Sequence, residues 1–116
     1  MPTDGWLNDQ RYFATEAPES VAAVVRNLQR YLKLLRASEN SKAVEAMYLK
    51  PEISGIVAVD QSGLGDFKEQ LRIYTFADDM RKLLFLLAFG KAETKHSDME
   101  YCKNLVYYII NEQRTG

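Results

Sequence analysis

The sequence predicts one α+β domain in which an N-terminal αα-hairpin and a C-terminal helix accompany an antiparallel meander of three to four strands. Apolar residues in the first and last thirds recur at helical spacing, whereas the middle third holds short alternating or apolar runs bounded by turn residues. The length of 116 residues suits one domain with a single core. We therefore place one domain over residues 1–116, with a polar segment, 1–11, whose composition is compatible with a disordered tail.

The first helix is predicted over about residues 18–37. Pro18 suits a first helical turn, because its missing N–H costs nothing there. Apolar side chains recur at helical spacing along the segment, and four cations lie largely off that stripe. These cations are Arg26, Arg30, Lys33 and Arg36. A solvated outer face is the default interpretation of such a pattern, and contact with RNA or a partner is the alternative.

Two further elements complete the N-terminal half. Tyr12–Ala14 suits the end of a short edge strand. The stretch "ASENSKAVEAMYLKP" predicts a short break and a second helix, capped by Asn40 or Ser41 and stopped by Pro51. With the first helix it would form the αα-hairpin.

After Pro51 the hydrophobic period changes to that of strands. A strand is predicted near residues 54–60, followed by a loop rich in Gly, Ser and Asp. The next strand alternates, so that Leu71, Ile73 and Thr75 share one side and Arg72, Tyr74 and Phe76 the other. "KLLFLLAFG" is apolar at every position except its first and last, which predicts a central strand covered on both faces. A last helix over about 98–112 would bury a stripe that includes Cys102.

Composition limits the classes of function. Lys plus Arg total 15 and Asp plus Glu total 16, so the net charge is −1, which argues against a strong general nucleic-acid binder but not against a local basic patch. The single cysteine rules out an intrachain disulfide, and one Cys with one His makes a zinc site unfavourable. No metal or cofactor is expected. The longest apolar run is too short to cross a bilayer, so a cytoplasmic protein is expected.

Two features of the strand region indicate chemistry. Arg72 shares its strand side with Tyr74 and Phe76; if that side is core, the guanidinium needs partners, and if it is exposed, it suits base stacking and phosphate pairing. A cationic cluster follows the apolar strand: Lys91, Lys95 and His96. Antiparallel pairing would set Arg72 opposite residues 85–90 and bring Lys91 near it. A basic loop that is merely solvated is the simpler alternative.

The same stretch resembles a known family. "LRIYTF", then "KLLFLLAFGK", then "ETKHSDMEYCKNLVYYI" resemble the RelE/HigB toxins of type II toxin–antitoxin systems, within the RelE/ParE superfamily that includes phage-derived Gp49-like proteins. The resemblance implies a RelE-like fold and a metal-independent endoribonuclease. Such an enzyme cleaves mRNA, commonly on the ribosome, inhibits translation and is neutralised by a cognate antitoxin. The expected partners are therefore an antitoxin and ribosome-bound mRNA.

The candidate residues take distinct roles in such chemistry. Arg72 would stabilise the negative charge of the phosphorane, Lys91 or Lys95 would hold phosphate or act as base, and His96 would exchange a proton. Five further residues are candidates for contact with RNA. They are Tyr74, Phe76, Arg81, Thr94 and Tyr107.

Departures from the family pattern keep two alternatives open. Ala92 stands where a second lysine is usual, and His96-Ser97 replaces the usual proline before the last helix. These departures and the near-neutral charge favour a RelE-fold module that binds a protein partner without catalysis. The other alternative is a ParE-like inhibitor of a topoisomerase.

Overall fold

The structure, a computed structural model, describes residues 18–38, 40–61, 71–91 and 94–115. Within them, the chain forms two α-helices and a four-stranded antiparallel sheet, so the α+β class is confirmed. The helices are α1 (Pro18–Arg36) and α2 (Lys95–Thr115). The strands are β1 (Leu49–Pro51), β2 (Ile56–Asp60), β3 (Leu71–Asp78) and β4 (Leu83–Lys91), with short 3-10 turns at Ser41–Ala43 and Ile53–Gly55. The expected edge strand at Tyr12–Ala14 and the tail lie outside the described residues.

Helix α1 matches its prediction closely. It begins at Pro18 with Glu19 in its first turn, where a carboxylate favours the positive end of the helix dipole. The buried residues Val24, Leu28 and Tyr31 recur at intervals of three or four, so one face of the helix enters the core.

The prediction of a second helix, which would complete the αα-hairpin, is wrong. A 3-10 turn, Ser41–Ala43, and strand β1 occupy its place. The hydroxyl and amide of Ser41 donate to the Asp79 carboxylate at 2.9 and 3.3 Å, which ties this segment to the β3–β4 turn. Leu49 is buried opposite Val59. Tertiary contacts therefore override the local helical preference, and the conformational restriction before Pro51 favours an extended chain there.

The strands follow one another in space as they do in sequence, in the order β1-β2-β3-β4, so the antiparallel meander is confirmed. The β3–β4 register shifts between Tyr74, which faces Ala88, and Thr75, which faces Leu86. Leu87 is the extra residue of a β-bulge. Beyond this bulge, towards Lys91, the pairing is regular again, with Arg72 opposite Gly90.

Each face of the sheet is covered by one helix. On the side that we call the α1 face, α1 packs on residues of all four strands, and on the α2 face, α2 packs on β2, β3 and β4. The buried cluster of the α1 face is Val24, Leu28, Tyr31, Leu49, Val59, Leu71, Ile73 and Phe89. The buried cluster of the α2 face is Ile56, Ala58, Tyr74, Leu87, Ala88, Met99, Cys102 and Val106. β4 contributes to both clusters, as its apolar sequence predicts.

Helix α2 starts at Lys95, three residues before the predicted start, and extends to Thr115. Met99, Cys102 and Val106 form its buried stripe, so the prediction of a buried thiol at Cys102 is confirmed. None of the helices within the described ranges has the length and apolar character that crossing a membrane requires.

Candidate functional site

A charged row crosses three strands at one end of the α2 face. Arg72 on β3 lies opposite Asp60 on β2 and opposite Gly90 on β4. Its Nε lies 3.6 Å from Oδ1 of Asp60, and about one fifth of each side chain is exposed (20% and 22%). Because directly opposite residues share a face of the sheet, all three positions belong to the α2 face. The guanidinium and carboxylate are therefore partly desolvated but reachable from solvent.

Asp98 from α2 completes this row above Gly90. A side chain at position 90 would collide with Oδ2 of Asp98, and its Cβ would lie 2.9 Å from Cε2 of Tyr74. The hydroxyl of Thr94 donates to Asp98 Oδ2 at 2.6 Å. Glycine at position 90 thus allows the first turn of α2 to bring a carboxylate onto the sheet. We call Asp60, Arg72 and Asp98 the acidic row.

The protonation equilibria of the row are shifted by burial. Burial raises the pKa of Asp60, although the positive charges of Arg72, Lys50 and Lys95 act in the opposite direction. Burial also raises the pKa of Asp98, against the effect of the Thr94 hydrogen bond. The row therefore holds two carboxyl groups whose pKa values are raised by burial, one on each side of a guanidinium. Shifted carboxyls of this kind suit acid–base catalysis.

Lys95 lies close to the row, as the sequence predicts. It is the first residue of α2, and its Nζ is 3.4 Å from Oε1 of Glu52. Its charge opposes the pKa increase of Asp60. Thr94 precedes it, and its hydroxyl also accepts from the backbone N–H of Lys91 at 3.2 Å. Arg72, Thr94 and Lys95 are thus brought together at one end of the α2 face.

Lys91 and His96 do not join this group, which corrects the predicted convergence of Arg72 with Lys91. Lys91 lies opposite Leu71, whose side chain is in the cluster of the α1 face, so the register puts Lys91 on the other side of the sheet from Arg72. His96 is exposed on the first turn of α2. It is two residues before Asp98, about 200° around the helix, and so points away from the sheet.

The exposed aromatic surface that was one interpretation of β3 is not present. Tyr74 is fully buried and Phe76 packs against the same core cluster, so the core interpretation holds and the Arg72 guanidinium has Asp60 as its partner. Burial, with the nearby Asp98 carboxylate, raises the pKa of Tyr74 to about 12. The Arg72 guanidinium, which lies close to this hydroxyl, acts in the opposite direction. Tyr74 therefore packs beneath the row and is inaccessible to a base.

The two remaining candidates lie away from the row. Arg81 is in the β3–β4 turn, where its Nε donates to Asp78 Oδ2 at 2.6 Å and its guanidinium lies 5.7 Å from the centre of the Phe85 ring. Burial alone would raise the pKa of Asp78, but hydrogen bonds from Arg81 and Met80 lower it overall. Arg81 thus stabilises a turn. Tyr107 is 70% exposed on α2, on the solvent side of the helix.

Asp60 and Asp98 are the members of the row that sequence reasoning missed. Asp60 is the last residue of a predicted strand, and nothing in the sequence states that it pairs with Arg72 across residues 61–70. Asp98 lies in the first turn of α2, where a carboxylate also suits the positive end of the helix dipole, so its position in the sequence does not by itself mark a site residue. The signal that points to it is Gly90, because a glycine at the end of an apolar strand also marks a place where another group approaches the backbone closely.

Comparison with protein-family models, with curated proteins and with solved structures finds no match to this chain. Among residues 18–38, 40–61, 71–91 and 94–115, no group of three or more His, Cys, Asp or Glu side chains is arranged to hold a metal ion.

Proposed function

We propose that the chain is a RelE/HigB-like toxin that cleaves RNA on the ribosome, with the acidic row as its centre and a cognate antitoxin as its partner. The observation that supports this most is the placement of Arg72 between two carboxyls with raised pKa values, on a partly exposed patch of the sheet. The paired strands also put Arg72 beside Gly90, next to the Thr94 turn and the start of α2. These are the elements on which the family resemblance rests.

The chemistry requires three groups. Ionised Asp60 takes the proton of a ribose 2′-hydroxyl, whose oxygen then bonds to the adjacent phosphorus. The Arg72 guanidinium donates to the non-bridging oxygens as their negative charge grows. Neutral Asp98 donates its proton to the 5′-oxygen as the bond from phosphorus to that oxygen breaks. The products are a 2′,3′-cyclic phosphate and a free 5′-hydroxyl, and a second proton exchange with water resets the two carboxyls.

The raised pKa values suit this division of roles. A higher pKa makes Asp60 a stronger base once ionised, and it keeps Asp98 protonated to higher pH. Lys95 adds positive charge near Asp60, which favours the ionised form there. Asp98 has no cation among the causes that lower its pKa, so it is the natural acid of the pair.

The test is induced expression in a bacterial host, with growth and total mRNA integrity followed together. Wild type should arrest growth and fragment translated mRNA, and Arg72→Gln should do neither at equal protein level. Lys91→Gln is the matched control, because it also removes one cation but from the other face of the sheet. Normal growth with intact mRNA on induction of the wild type would contradict the proposal.

A binding module without catalysis is the second candidate. The formal charge of the acidic row is −1 when both carboxyls are ionised, which opposes approach of a phosphodiester. A groove of about 790 Å³ has an apolar floor that includes Leu49, Ile56 and Phe76, as recognition sites for partner chains commonly do. If Arg72→Gln still arrests growth and the mRNA stays intact, the binding module is favoured. If DNA supercoiling is also lost in these cells, a ParE-like action on a topoisomerase is indicated.

A further inference from the structure

Helix α1 carries a concentrated positive charge on its outer side. Four exposed cations follow one another at intervals of four, three and three residues. They are Arg26, Arg30, Lys33 and Arg36, which we call the basic stripe. At 1.5 Å per residue the stripe extends for about 15 Å along the helix axis. A surface depression of about 410 Å³ is lined by these four side chains with Gln29 and Leu32.

The charges of the stripe are not neutralised by carboxylates in the part of the chain that the structure describes. The ion pairs found there join Arg72, Arg81, Lys95 and Lys103 to acids elsewhere. Arg30 donates to the side-chain oxygen of Asn27 at 3.3 Å, a neutral partner. A protein of net charge −1 thus concentrates four positive charges on one side of one helix.

The chemistry of the stripe favours a phosphate backbone over the other anionic partners. A membrane surface would need a free apolar helix face, but the apolar face of α1 is in the core. An acidic protein interface would need aromatic or aliphatic anchors at its centre, and the stripe offers none beyond Leu32 and Leu34 at its border. Three arginines in a line match a linear series of phosphates, since each guanidinium can donate two hydrogen bonds to one phosphate.

We propose that the basic stripe of α1 is a binding site for the phosphate backbone of single-stranded nucleic acid. It lies on the other side of the sheet from the acidic row, so it holds RNA that is not the segment being cut. The contacts are to phosphate, and binding is therefore independent of sequence and of sugar. The proposal does not depend on catalysis.

The test measures fluorescence anisotropy of a labelled 20-nucleotide oligo(U) and of oligo(dT) with the full-length protein, over a range of salt concentrations. With four phosphates neutralised, log Kobs should fall against log salt with a slope of about −2.8. The variant Arg26→Gln/Arg30→Gln/Lys33→Gln should weaken binding at least tenfold and reduce the slope to about −0.7. Glutamine keeps helix propensity close to that of the native residues, so α1 should stay folded.

The matched control is Lys50→Gln/Lys82→Gln/Lys103→Gln, which removes the same charge from exposed or half-exposed positions outside the stripe. It should bind within about threefold of wild type, because the phosphate contacts are intact. Equal weakening by both triple variants, no binding by the wild type at 50 mM salt, or a tenfold preference for one sugar would each overturn the proposal. If Arg72→Gln loses cleavage but still binds RNA, the basic stripe and the acidic row are separate sites.

Discussion

The Arg72 guanidinium lies 3.6 Å from the carboxylate of Asp60, its direct cross-strand partner, on the sheet face that carries the largely apolar cluster beneath α2. A cation on such a face requires a partner, and the partner here is only partly shielded from water. On the far side of Arg72, Asp98 lies above the bare backbone of Gly90. The proposed chemistry depends on this spatial order of charges, negative, positive and negative, across three strands.

Conservative removal of either member of this pair should slow cleavage strongly. Arg72→Gln removes the donor to the phosphorane, and loss of such a donor lowers kcat by a factor of about 10² to 10³. Asp60→Asn removes the base and should lower kcat by about 10² to 10⁴. Single-turnover cleavage of a short RNA measures both. If the two single variants and the double variant lose the same factor, the residues act as a unit, whereas full activity of Asp60→Asn would exclude this carboxylate as the base.

Lys91→Gln should leave cleavage within about threefold of wild type, since the register puts Lys91 on the α1 face. Lys95→Gln should lower the rate more, because its charge reaches Asp60. The same single-turnover assay compares the two lysines directly. A loss of 10² or more in Lys91→Gln would show that the strand end turns Lys91 towards Arg72.

Asp98→Asn should stabilise the protein at pH 8 while it abolishes cleavage. Burial raises the pKa of Asp98, so the folded state favours the neutral form, and ionisation at high pH costs folding free energy. Asparagine removes this cost and keeps an acceptor for Thr94, so the free energy of unfolding should rise by about 0.5 to 1 kcal/mol. The gain should shrink as the pH falls through the folded-state pKa, and it should vanish below the unfolded-state pKa of about 3.9, where wild-type Asp98 is neutral in both states.

Urea unfolding at pH 8 and at pH 4 measures that dependence. The control is Glu100→Gln, which removes an exposed carboxylate from the same helix turn and should show little change at either pH. A gain for Asp98→Asn that is larger at pH 4 than at pH 8 would contradict the account.

Gly90→Ala should destabilise the fold by about 1 to 3 kcal/mol, because the added methyl group displaces either Asp98 or the buried Tyr74 ring. In an Asp98→Ala background the same change should cost less, since the closest obstacle has been removed. A double-mutant cycle of thermal or urea unfolding measures this coupling. Additive effects would indicate that Asp98 does not lie over Gly90.

Much of the fold could be predicted from the hydrophobic period. The stripe of α1, the three long strands and the buried face of α2 follow from apolar residues at helical or strand spacing, because these residues face the core in the structure. The prediction of a second helix is wrong because contacts between residues distant in sequence outweigh the local helix propensity. Ser41 donates a hydrogen bond to Asp79, and Leu49 pairs opposite Val59.

The site was harder to predict than the fold. Arg72 is conspicuous, since it is a charge in an apolar strand, but its partner Asp60 depends on a register set across residues 61–70. Lys91 was expected near Arg72 and does lie near it along the ladder, but neighbouring positions of a strand point to opposite sides of the sheet, so the two side chains are on different faces. Asp98 comes from a helix whose packing above Gly90 is a tertiary contact and leaves no periodic signal.

The most direct measurement is in vitro: purified wild type and Arg72→Gln are each incubated with ribosomes stalled on a defined mRNA, without divalent-metal-dependent nucleases, and the fragment ends are analysed. We expect fragments with 2′,3′-cyclic phosphate and 5′-hydroxyl ends for the wild type and intact mRNA for Arg72→Gln. Intact mRNA with the wild type, or the same fragments with both proteins, would contradict a catalytic acidic row.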